Sequence, residues 1–592
     1  MNFTVRTVRL ITFLTAMPIT VCFASAGSTQ VMNWETAPAD ASMPGSIVET
    51  VLSTVGEAVT ESTVWTEADD PFAPPYQSGW PQIMVVNPNF RPAGVVLADL
   101  DRDDTLEVIA GSTDNEFRVW RYDGTLMSGW PVNLGGAIQS KAAVADLDGD
   151  GDLEIIVSVK SGYIHVLHHD GTPMSGWPKP SGVTGGFRAP TIYDLDGDNV
   201  PEIMIGSPTN VRVWHADGSI MSGFPQTVGG NITATLAVGD ITGDGVPEIF
   251  AEALDGKLYS FQIDGTVTPG WPVTFGLSNS YGAPSIGDLD GNGLCEVLVA
   301  GYQIMTITEV YAYNGDGSIV TGFPLSYPGL QSYSCPVLAD GDGDGDLEIW
   351  HSAKLSAGLE AFYAWDHTGT LLSGWPVMSQ VNMEGSPIVA DFDGNPGLEA
   401  VIVDNSSPNL VYGYNLDGSV AIDFPFSRPG YCGPNSPEVG DIDRDGDLEM
   451  ALTMGSGHVG VWDFPVDYSE PTTGWGALFH DDWNTNQYGF VVPHETTSIE
   501  NSETSPAHQL LRACPNPFNS MTMIDFSLAA TGCVSLDVYD ITGRCVLQLV
   551  DSELASGSHS FGWSASDLAN GVYMVQLTTA EGRSSLCLML LR

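Results

Sequence analysis

Short apolar runs alternate with acidic turns through most of the chain, and the alternation repeats eight times. In one copy, the small and apolar run Ala142–Ala145 precedes the acidic turn, and the β-rich runs Glu154–Val159 and Tyr163–Leu167 follow it. An Asp-Gly turn then leads to a Gly-Trp-Pro or Gly-Phe-Pro segment in most copies. Because Asp-Gly between apolar runs is a strong hairpin signal, each copy predicts four short antiparallel strands.

The acidic turns are nine residues long and recur at a nearly constant spacing of 46 to 52 residues. A fixed period of this size is typical of a propeller or another repeat array, and four strands per period match one propeller blade. No segment has a long 3.6-residue apolar period, so no helix is predicted. The eight copies are DLDRDDTLE (99–107), DLDGDGDLE (146–154), DLDGDNVPE (194–202), DITGDGVPE (240–248), DLDGNGLCE (288–296), DGDGDGDLE (340–348), DFDGNPGLE (391–399) and DIDRDGDLE (441–449).

The predicted fold is therefore all-β, an eight-bladed β-propeller or alternatively a seven-bladed one with an irregular unit. A segment ahead of the first acidic turn, Ser78–Pro81, resembles the last strand of a unit. It could pair with the final unit and close the ring, since closure removes exposed sheet edges. The final unit also has its own Gly474–Trp475 segment, which leaves the mode of closure open.

Within each acidic turn, acids or amides occupy positions 1, 3, 5 and 9, with Thr242 at position 3 of the fourth turn as the exception. In a tight turn this spacing directs alternate side chains to one side, where their oxygens converge on a hard cation, and the carbonyl of position 7 can add another oxygen. Six or more oxygen ligands fit calcium, whereas zinc would require Cys or His. The predicted calcium ligands are Asp99, Asp101, Asp103, Glu107, Asp146, Asp148, Asp150, Glu154, Asp194, Asp196, Asp198, Glu202, Asp240, Thr242, Asp244, Glu248, Asp288, Asp290, Asn292, Glu296, Asp340, Asp342, Asp344, Glu348, Asp391, Asp393, Asn395, Glu399, Asp441, Asp443, Asp445 and Glu449.

The eight turns differ in the features that calcium binding requires. Position 6 needs a positive φ, and five turns have Gly there, whereas Asp104 and Asn199 are the residue types next most tolerant of it. Pro396 stands at that position in the seventh turn and cannot adopt a positive φ, so this site is the weakest candidate. The fourth turn, with Thr242, and the fifth, with Asn292, carry fewer charges and are expected to bind calcium more weakly.

The turns differ from EF-hands, which need a bidentate Glu at position 12 and flanking helices, because Glu stands here at position 9 and the flanks are predicted strands. The repeated unit of turn and strands resembles the FG-GAP or VCBS repeats of integrin α-chain propellers over roughly residues 76–490. The resemblance implies Asp-rich calcium loops in the blades, with up to eight Ca²⁺ ions. We expect the calcium to stabilise the fold and not to catalyse a reaction.

The charge of the chain is strongly unbalanced, with 73 Asp and Glu against 19 Lys and Arg and a formal net charge of −54. Such a surface repels phosphate backbones and anionic lipids, so nucleic-acid binding and membrane-surface roles are disfavoured. High negative charge often accompanies disorder, but 43% hydrophobic residues and 15 Trp favour folded structure. Close to half of the acids lie in the eight turns, where unneutralised carboxylates would repel one another.

The N-terminus has the pattern of a secretory signal peptide, predicted for residues 1–26. Two Arg residues precede an apolar stretch from Leu10 to Phe23, and a small-residue cleavage site, Ala24–Ala26, follows. No later stretch is apolar for about 18 residues, so no membrane span is predicted. Residues 27–75 form an acidic and poorly patterned N-terminal segment. Of the eight Cys, seven remain after removal of the signal peptide, and this odd number implies at least one free or intermolecular thiol.

After a linker at 491–510, residues 511–592 predict a small Ig-like β-sandwich. Its strands are predicted at 522–528, 533–540, 544–550, 558–563, 571–579 and 584–591. The motifs PNPFN (515–519), VYDITGR (538–544) and GVYMVQL (571–577) resemble the C-terminal sorting domain of proteins exported by the type IX secretion system. The resemblance implies contact with that machinery and export across the outer membrane of a Gram-negative bacterium. An accessory Ig-like domain without an export role is the alternative.

Sequence motifs for chemistry are few. His165, His168 and His169 lie on or beside a predicted strand, and no acid is spaced in sequence to complete a zinc site, so we expect surface or core histidines. The recurring Trp and Phe of the Gly-Trp-Pro and Gly-Phe-Pro segments could stack on sugars, but their repetition favours core or inter-blade packing. No Gly-rich phosphate loop and no nucleophile elbow occurs.

The preferred function is therefore binding, by an adhesion or scaffold module that recognises an unidentified protein or glycan through propeller loops. One alternative is a glycan-active enzyme such as a polysaccharide lyase, which a pocket of non-repeated Arg, Lys, Tyr and acid residues would indicate. A second alternative is a structural envelope or matrix protein. A binding site is expected where the units differ, as in the longer units five to seven. The expected location is the outer cell surface or the extracellular space.

Overall fold

The computed structural model of the chain divides into two compact units, Met1–Thr496 and Thr497–Arg592. The regular elements in its described residues are all β-strands. No helix in this part of the chain is long and apolar enough to cross a membrane. The structure describes residues 21–25, 28–32, 50–55, 58–63, 74–84, 93–182, 188–275, 282–303, 307–329, 333–356, 359–379, 383, 385–395, 397–405, 409–428, 436–468, 473–481, 484–488, 511–514, 521–528, 532–540, 544–554, 557–564, 571–579 and 582–590.

Two short hairpins precede the repeats. They are β1–β2 (Val21–Ser25 and Ser28–Met32) and β3–β4 (Thr50–Val55 and Ala58–Thr63). A two-residue strand, β5 (Gln82–Ile83), lies just before the first repeat. Residues 1–20 lie outside the described residues, so the signal peptide stays a prediction.

Eight successive antiparallel sheets follow, one for each acidic turn, and we number them in chain order. In each, the strands are hydrogen-bonded in sequence order. Sheets 1 to 4 are β6–β9 (Val96–Ala98, Glu107–Gly111, Glu116–Trp120, Val132–Asn133), β10–β13 (Ala143–Ala145, Glu154–Val159, Tyr163–Leu167, Lys179–Pro180), β14–β17 (Thr191–Tyr193, Glu202–Ser207, Asn210–Trp214, Gln226–Thr227) and β18–β21 (Ala237–Gly239, Glu248–Ala253, Lys257–Phe261, Val273–Thr274).

The remaining sheets follow the same plan, with two strands added from distant parts of the chain. Sheets 5 to 8 are β22–β25 (Ser285–Gly287, Glu296–Gln303, Ile307–Tyr313, Leu325–Tyr327), β26–β29 (Val337–Ala339, Glu348–Ser356, Leu359–Trp365, Val377–Ser379), β30–β33 (Ile388–Ala390, Glu399–Val403, Leu410–Tyr414, Phe426–Ser427) and β34–β36 (Glu438–Gly440, Asp447–Met454, His458–Asp467). The added strands are β5 in sheet 8 and β37 (Thr473–Trp475) in sheet 7.

The apolar core lies between neighbouring sheets, which explains why the second strands are apolar at successive positions. All six residues of β11 are buried. Its side chains alternate between two faces: Ile155 and Val157 pack with sheet 1, whereas Ile156 packs with Ile203 and Ile205 of sheet 3. A strand that is covered on both faces has no solvated positions, so it lacks the polar alternation of a half-exposed strand.

The Gly-Trp segments of sheets 1, 2, 4, 6 and 8 join each of these sheets to the next one. The indole nitrogen of Trp130 donates a hydrogen bond to the carbonyl of His169 at 2.9 Å, in the turn of the following sheet. The preceding Gly129 has a φ of +96°, and a Cβ there would lie 2.0 Å from the carbonyl oxygen of Asp170. Glycine is therefore required by both the backbone conformation and the close approach. The equivalent indoles that donate to the next sheet are Trp80, Trp177, Trp271 and Trp375.

The eighth sheet contacts the first, and the N-terminal strand completes it. Strand β5 pairs with β36 in the register His458 to Ile83, so the segment that begins at Ser78 supplies the last strand of sheet 8, as expected. The indole of Trp80 in this segment donates to the carbonyl of Tyr122 in sheet 1 at 2.7 Å. The first strands β34 and β6 of the two sheets also contact each other. The two ends of the repeat array are thus joined.

The segment Gly474–Trp475, which was the other candidate for the last strand of sheet 8, does not pair with that sheet. It lies in β37, which pairs with the first strand of sheet 7 and puts Trp475 opposite Val389. The same strand also contacts β26, the first strand of sheet 6. The chain then continues along the first strands of other sheets, and we call residues 473–481 and 484–488 the central segment. Its backbone accepts hydrogen bonds from the amides of Val439, Val238 and Ile286, in sheets 8, 4 and 5.

Polar side chains hold the central segment against further sheets. Asn484 is fully buried and donates to the carbonyls of Ala142 and Pro190, which precede the first strands of sheets 2 and 3. The ammonium of Lys141 is also buried, 3.0 Å from a carboxylate oxygen of Glu438 and 3.2 Å from the carbonyl of Asp481. These contacts are unlike those of the repeats, because a single non-repeated segment meets sheets 2 to 8.

The C-terminal unit consists of two antiparallel sheets that share one core. Phe526 and Trp563 pack there with Leu536, Val575 and Leu577 of the other sheet. All six predicted strands occur, and the short first strand was not predicted. The sheets are β38–β39–β42 and β41–β40–β43–β44, whose strands are Leu511–Cys514, Met521–Leu528, Gly532–Asp540, Cys545–Leu554, Gly557–Ser564, Gly571–Thr579 and Gly582–Leu590 in chain order.

The approach of Gly129 to the next sheet predicts a large cost for adding a methyl group there. Gly129→Ala should lower the free energy of unfolding by about 2–4 kcal/mol, since it adds a steric conflict to a positive φ. Gly135→Ala is the matched control, because Gly135 has a φ of +70° but no atom lies within 4 Å of the place that a Cβ would occupy. It should cost only about 1–2 kcal/mol. Chemical denaturation of both variants measures the difference, and equal losses would contradict the role of the inter-sheet contact.

Candidate metal centres

All eight acidic loops lie at the same end of their sheets, because each joins the first strand to the second. The Glu at position 9 stands at or near the start of the second strand and is 0–4% exposed in every loop. One of its carboxylate oxygens accepts a hydrogen bond from the backbone amide of position 2 in all eight loops, at 2.6–3.2 Å. This bond closes each loop at its base.

The Asp at position 1 organises the rest of the loop. In the third loop Asp194 accepts the backbone amides of residues 197, 198 and 199 at 2.8–3.1 Å. Asp196 and Asp198 then each accept the amide two residues further on. The backbone thus folds around the carboxylates and fixes their direction, and the other loops repeat most of these bonds.

Carboxylates converge in the first three loops. Oxygens of Asp146, Asp148 and Asp150 all lie within 4.8 Å of one another, and the same positions converge in the third loop. In the first loop the converging set is Asp99, Asp101 and Glu107. Alternate acids therefore do point to one side of the turn, as their spacing predicted.

The loops need two left-handed residues each. Position 6 has a positive φ in every described loop, including Asp104 at 69° and Asn199 at 67°. Pro396 lies outside the described residues, so the doubt about the seventh loop stays a prediction. Position 4 also has a positive φ in all eight loops, which was not predicted from the sequence, and it is Gly in six and Arg102 and Arg444 in two.

Neighbouring loops are hydrogen-bonded to each other. In four loops the amide of position 8 donates to the carbonyl of position 2 in the preceding loop, as from Leu153 to Leu100 at 3.1 Å. The same bond from Leu106 to Ile442, at 2.9 Å, joins the first loop to the eighth. Pro201 and Pro247 occupy position 8 in the third and fourth loops and have no amide hydrogen to donate.

Burial makes the position-9 carboxylates unusually hard to ionise. It raises the pKa of Glu107, Glu399 and Glu449 to about 8. It raises the pKa of Glu248, Glu296 and Glu348 to about 7, and nearby Asp charges add to the effect. Burial also raises the pKa of Glu154 and Glu202, but a His hydrogen bond partly opposes it. A cation among the Asp residues would remove this penalty.

The donor set fits calcium. The ligand atoms at positions 1, 3, 5 and 9 are oxygens in all loops, the donor type that calcium prefers. In the first loop, one oxygen each of Asp101 and Glu107 is buried and has no hydrogen-bond partner among the described residues, and the guanidinium group of Arg121 lies beside both acids. Buried carboxylate oxygens of this kind are usually satisfied by a partner or an ion.

One further side chain faces the first three loops, and it was not predicted from the sequence. It is the residue directly after the third strand, which we call the turn-opening residue: Arg121, His168 and His215 in sheets 1 to 3. Nδ1 of His168 lies 3.0 Å from Glu154, and Nδ1 of His215 lies 2.9 Å from Glu202. The contact between His168 and Glu154 was not predicted from the sequence, because the hairpin brings together two residues that are 14 apart in the chain. The sequence signal that could have identified these residues is their equivalent position, directly after the third strand and before the turn, in each of the first seven repeats.

A cleft of about 500 Å³ lies beside the third loop. No Arg, Lys or Tyr lines it, so it lacks the residue set that would indicate a lyase. Its lining residues are Leu147, Asp148, Met174, Ser175, Gly176, Asp198, Val200, Glu202, His215, Ala216 and Asp217.

The remaining candidate groups have structural surroundings. The five indoles of the Gly-Trp-Pro segments are only 6 or 7% exposed, so they pack between sheets and offer no open platform for a sugar. Cys295 and Cys335 are free thiols. Burial raises the pKa of Cys295 to about 12 and that of Cys335 to about 11, which keeps both as unreactive thiols.

The raised pKa values predict how stability depends on pH without calcium. In the unfolded chain the Glu residues have an ordinary pKa near 4.5, so between about pH 5 and 8 the folded state holds more protons. Its stability must then fall as pH rises through the folded pKa values. Protein stripped of divalent cations on a chelating resin should melt several degrees lower at pH 8.0 than at pH 5.5. Saturating calcium should abolish this trend, and stability that increases with pH in the stripped protein would contradict it.

Comparisons with known proteins agree with the repeat and with the C-terminal unit. A family model described as FG-GAP-like repeat matches residues 99–157, 146–205, 194–251 and 288–350, and each match spans two successive acidic loops. A second model, described as secretion system C-terminal sorting domain, matches residues 512–588. No curated protein matches the sequence of the chain significantly.

Solved structures resemble the chain only distantly. The V. cholerae biofilm matrix protein Bap1 is 14% identical with a TM-score of 0.48, over 69% of this chain and 93% of that one. Saccharomyces cerevisiae Sqt1 is 12% identical with a TM-score of 0.44, over 64% and 97%. PorZ, a surface component of the type IX secretion system of Porphyromonas gingivalis, is 13% identical with a TM-score of 0.31, over 84% and 66%. Since all three TM-scores are below 0.5, nothing further follows from them.

The sorting domain indicates export by type IX secretion to the cell surface or the extracellular space. The acidic loops and their four-stranded sheets correspond to the repeats that the first family model matches. The chain therefore contains FG-GAP-like repeats, in four-stranded sheets consistent with propeller blades, and carries a C-terminal sorting domain of the type IX secretion system.

Proposed function

We propose that this protein is a calcium-stabilised, eight-bladed β-propeller that binds a protein or glycan partner at the surface of a Gram-negative bacterium or outside it. Eight sheets joined end to end, with the eighth against the first, support eight blades over seven. The proposed organisation is a signal peptide at 1–26, an acidic segment at 27–75, a propeller at 76–490, a linker at 491–510 and an Ig-like sorting domain at 511–592.

Calcium is proposed to bind the carboxylates at positions 1, 3, 5 and 9 and the carbonyl of position 7. The support is the convergence of these carboxylates in loops that the backbone has already closed. When bound, calcium supplies positive charge that offsets the repulsion among the Asp residues and the buried Glu. The loops hold the oxygens in place, so the ion stabilises the blades and leaves recognition to other parts of the surface.

The partner is proposed to bind at the end of the sheets opposite the acidic loops. Successive connections in an antiparallel sheet alternate between its two ends, so the hairpins between the second and third strands lie at that opposite end. In sheets 5 and 6 these strands are seven to nine residues long, against five or six in sheets 1 to 4. The β23–β24 and β27–β28 hairpins therefore extend beyond those of sheets 1 to 4, in two of the units whose length differs.

The observation that carries the binding proposal is the greater length of the hairpins in sheets 5 and 6, in an array of otherwise similar sheets. A rigid repeat array with a few longer hairpins is a common way to present a recognition surface. The cleft beside the third loop does not favour catalysis, because its polar groups are acids and one His that belong to the loop itself.

Calcium removal should lower the melting temperature of the protein strongly. At a calcium concentration of a hundred times Kd, each site adds about 2.7 kcal/mol of stability, and several sites act together. Differential scanning calorimetry at pH 7.5 with calcium, with excess EGTA, and with EGTA plus magnesium measures the effect. Magnesium should not restore the calcium value, because it requires a smaller and more regular oxygen shell. An unchanged melt in EGTA would refute calcium stabilisation.

The binding proposal is tested by presenting the calcium-loaded mature chain, from Gly27, to a glycan array and to immobilised extracellular proteins. Binding should depend on the longer hairpins, so Lys354→Ala at the β27–β28 hairpin should weaken it several-fold. Lys257→Ala at the equivalent hairpin of sheet 4 is the matched control and should have no effect. Shortened or unsaturated glycan products would instead establish an enzyme, and binding that survives Lys354→Ala would refute the proposed surface.

A further inference from the structure

The turn-opening residue occupies one equivalent place in seven sheets but differs in chemistry. Its backbone amide donates to the carbonyl four residues later in every case, at 2.8 or 2.9 Å, so the backbone position is the same. From sheet 1 to sheet 7 these residues are Arg121, His168, His215, Gln262, Asn314, Asp366 and Asn415. Differences between the loops at this place therefore come from the side chain alone.

Arg121 directs its guanidinium group into the first acidic loop. Its two terminal nitrogens lie 2.8 Å from an oxygen of Asp101 and 2.6 Å from an oxygen of Asp103. The nitrogen nearer Asp103 also lies 3.7 Å from the fully buried Glu107. These three acids stand at positions 3, 5 and 9, so one fixed positive charge lies among three of the four proposed calcium ligands of this loop.

The first loop consequently differs from its neighbours in the carboxylates that stay available. Oxygens of positions 1, 3 and 5 lie within 4.8 Å of one another in the second and third loops, and in the first loop those of Asp99, Asp101 and Glu107 do. In the first loop, Asp103 accepts hydrogen bonds from Arg121 and from the hydroxyl and amide of Thr105. Guanidinium pairs with carboxylates through directional hydrogen bonds, which occupy oxygens that calcium would need.

The other sheets show no comparable cation at this place within the described residues. The rings of His168 and His215 contact the buried Glu of their loops and leave the Asp residues converged. Gln262, Asn314 and Asn415 turn back to hydroxyl groups in their own turns. Among the turn-opening residues of the described sheets, only Arg121 carries a permanent positive charge.

We propose that the guanidinium group of Arg121 serves as the resident cation of the first loop, so that this loop folds without calcium. The inference rests on the calcium sites proposed above and assigns one of the eight loops a different counter-ion. The number of calcium ions bound by the chain is then set partly by the turn-opening residue and not only by the acidic loop itself.

Two further arginines lie at the first loop and support the proposal that basic side chains neutralise it. Arg444, at position 4 of the eighth loop, donates to the carbonyl of Asp104 in the first loop. Arg102, at position 4 of the first loop, lies where a Cβ of Gly151 in the second loop would stand. Arg444 thus lies where the eighth and first loops meet, and Arg102 lies between the first and second loops. The first loop therefore has a basic side chain of the chain itself at each of its two neighbours.

Calcium stoichiometry tests the proposal directly, using the mature chain and native mass spectrometry after calcium titration. Asp146→Asn, in the second loop, should remove one calcium ion. Asp99→Asn, which does not touch Arg121, should remove none. Arg121→Asn should add one ion, which Asp99→Asn should remove again in the double variant. The reciprocal change His168→Arg should place a guanidinium group in the second loop and remove one ion.

Thermal unfolding provides a second readout that does not depend on counting ions. Arg121→Asn should melt several degrees below the unmodified chain in EGTA and approach it in calcium, since calcium then replaces the lost charge. Arg118→Asn is the matched control, because Arg118 lies on the same hairpin and pairs with Asp114 at 3.0 Å, away from the loop. Its effect on the melt should be the same with and without calcium.

The outcomes separate this proposal from the calcium proposal on which it rests. If the chain binds no calcium and Asp146→Asn changes nothing, the calcium sites themselves are wrong. If the chain binds calcium but Asp99→Asn alone removes one ion, the first loop is an ordinary site and the role of Arg121 is overturned. An unchanged stoichiometry in both Arg121→Asn and His168→Arg would also overturn it.

Discussion

The buried glutamate at the start of each second strand is the constraint to which the rest of the repeat is adapted. It ties the base of its loop by accepting the amide of position 2, and it lies where water cannot solvate its charge. The Asp residues then surround it at short range, which makes ionisation still harder. A charge of opposite sign at each loop would offset this penalty, and the chain has only 19 Lys and Arg against 73 Asp and Glu to supply it.

Much of this arrangement was predictable because it is local. Strand β11 has the predicted limits Glu154 and Val159, and β12 has the predicted limits Tyr163 and Leu167. The convergence of the acids followed from their spacing within nine residues. The positive φ at position 4 was missed because Arg102 and Arg444 are not residues that signal a left-handed backbone.

The contacts that could not be predicted join residues far apart in the chain. His168 meets Glu154 only because a hairpin folds between them, and Trp130 meets the carbonyl of His169 only because two sheets pack together. The central segment is not part of the repeat, so no sequence pattern indicates its partners. Asn484, for example, donates to carbonyls about 300 residues earlier in the chain. The sequence could identify the repeated unit, but the way in which units meet depends on packing between sheets.

The central segment also gives the fold a fixed order of completion. The strand that pairs with sheet 7 and the carbonyls that accept hydrogen bonds from sheets 4 and 5 all come after residue 472. During synthesis, the first strands of these sheets therefore lack these partners until residue 488 has been added. The sorting domain follows at 512–588. A product that terminates before residue 472 would lack both β37 and the sorting domain. Only chains that include the central segment therefore carry the domain that directs export.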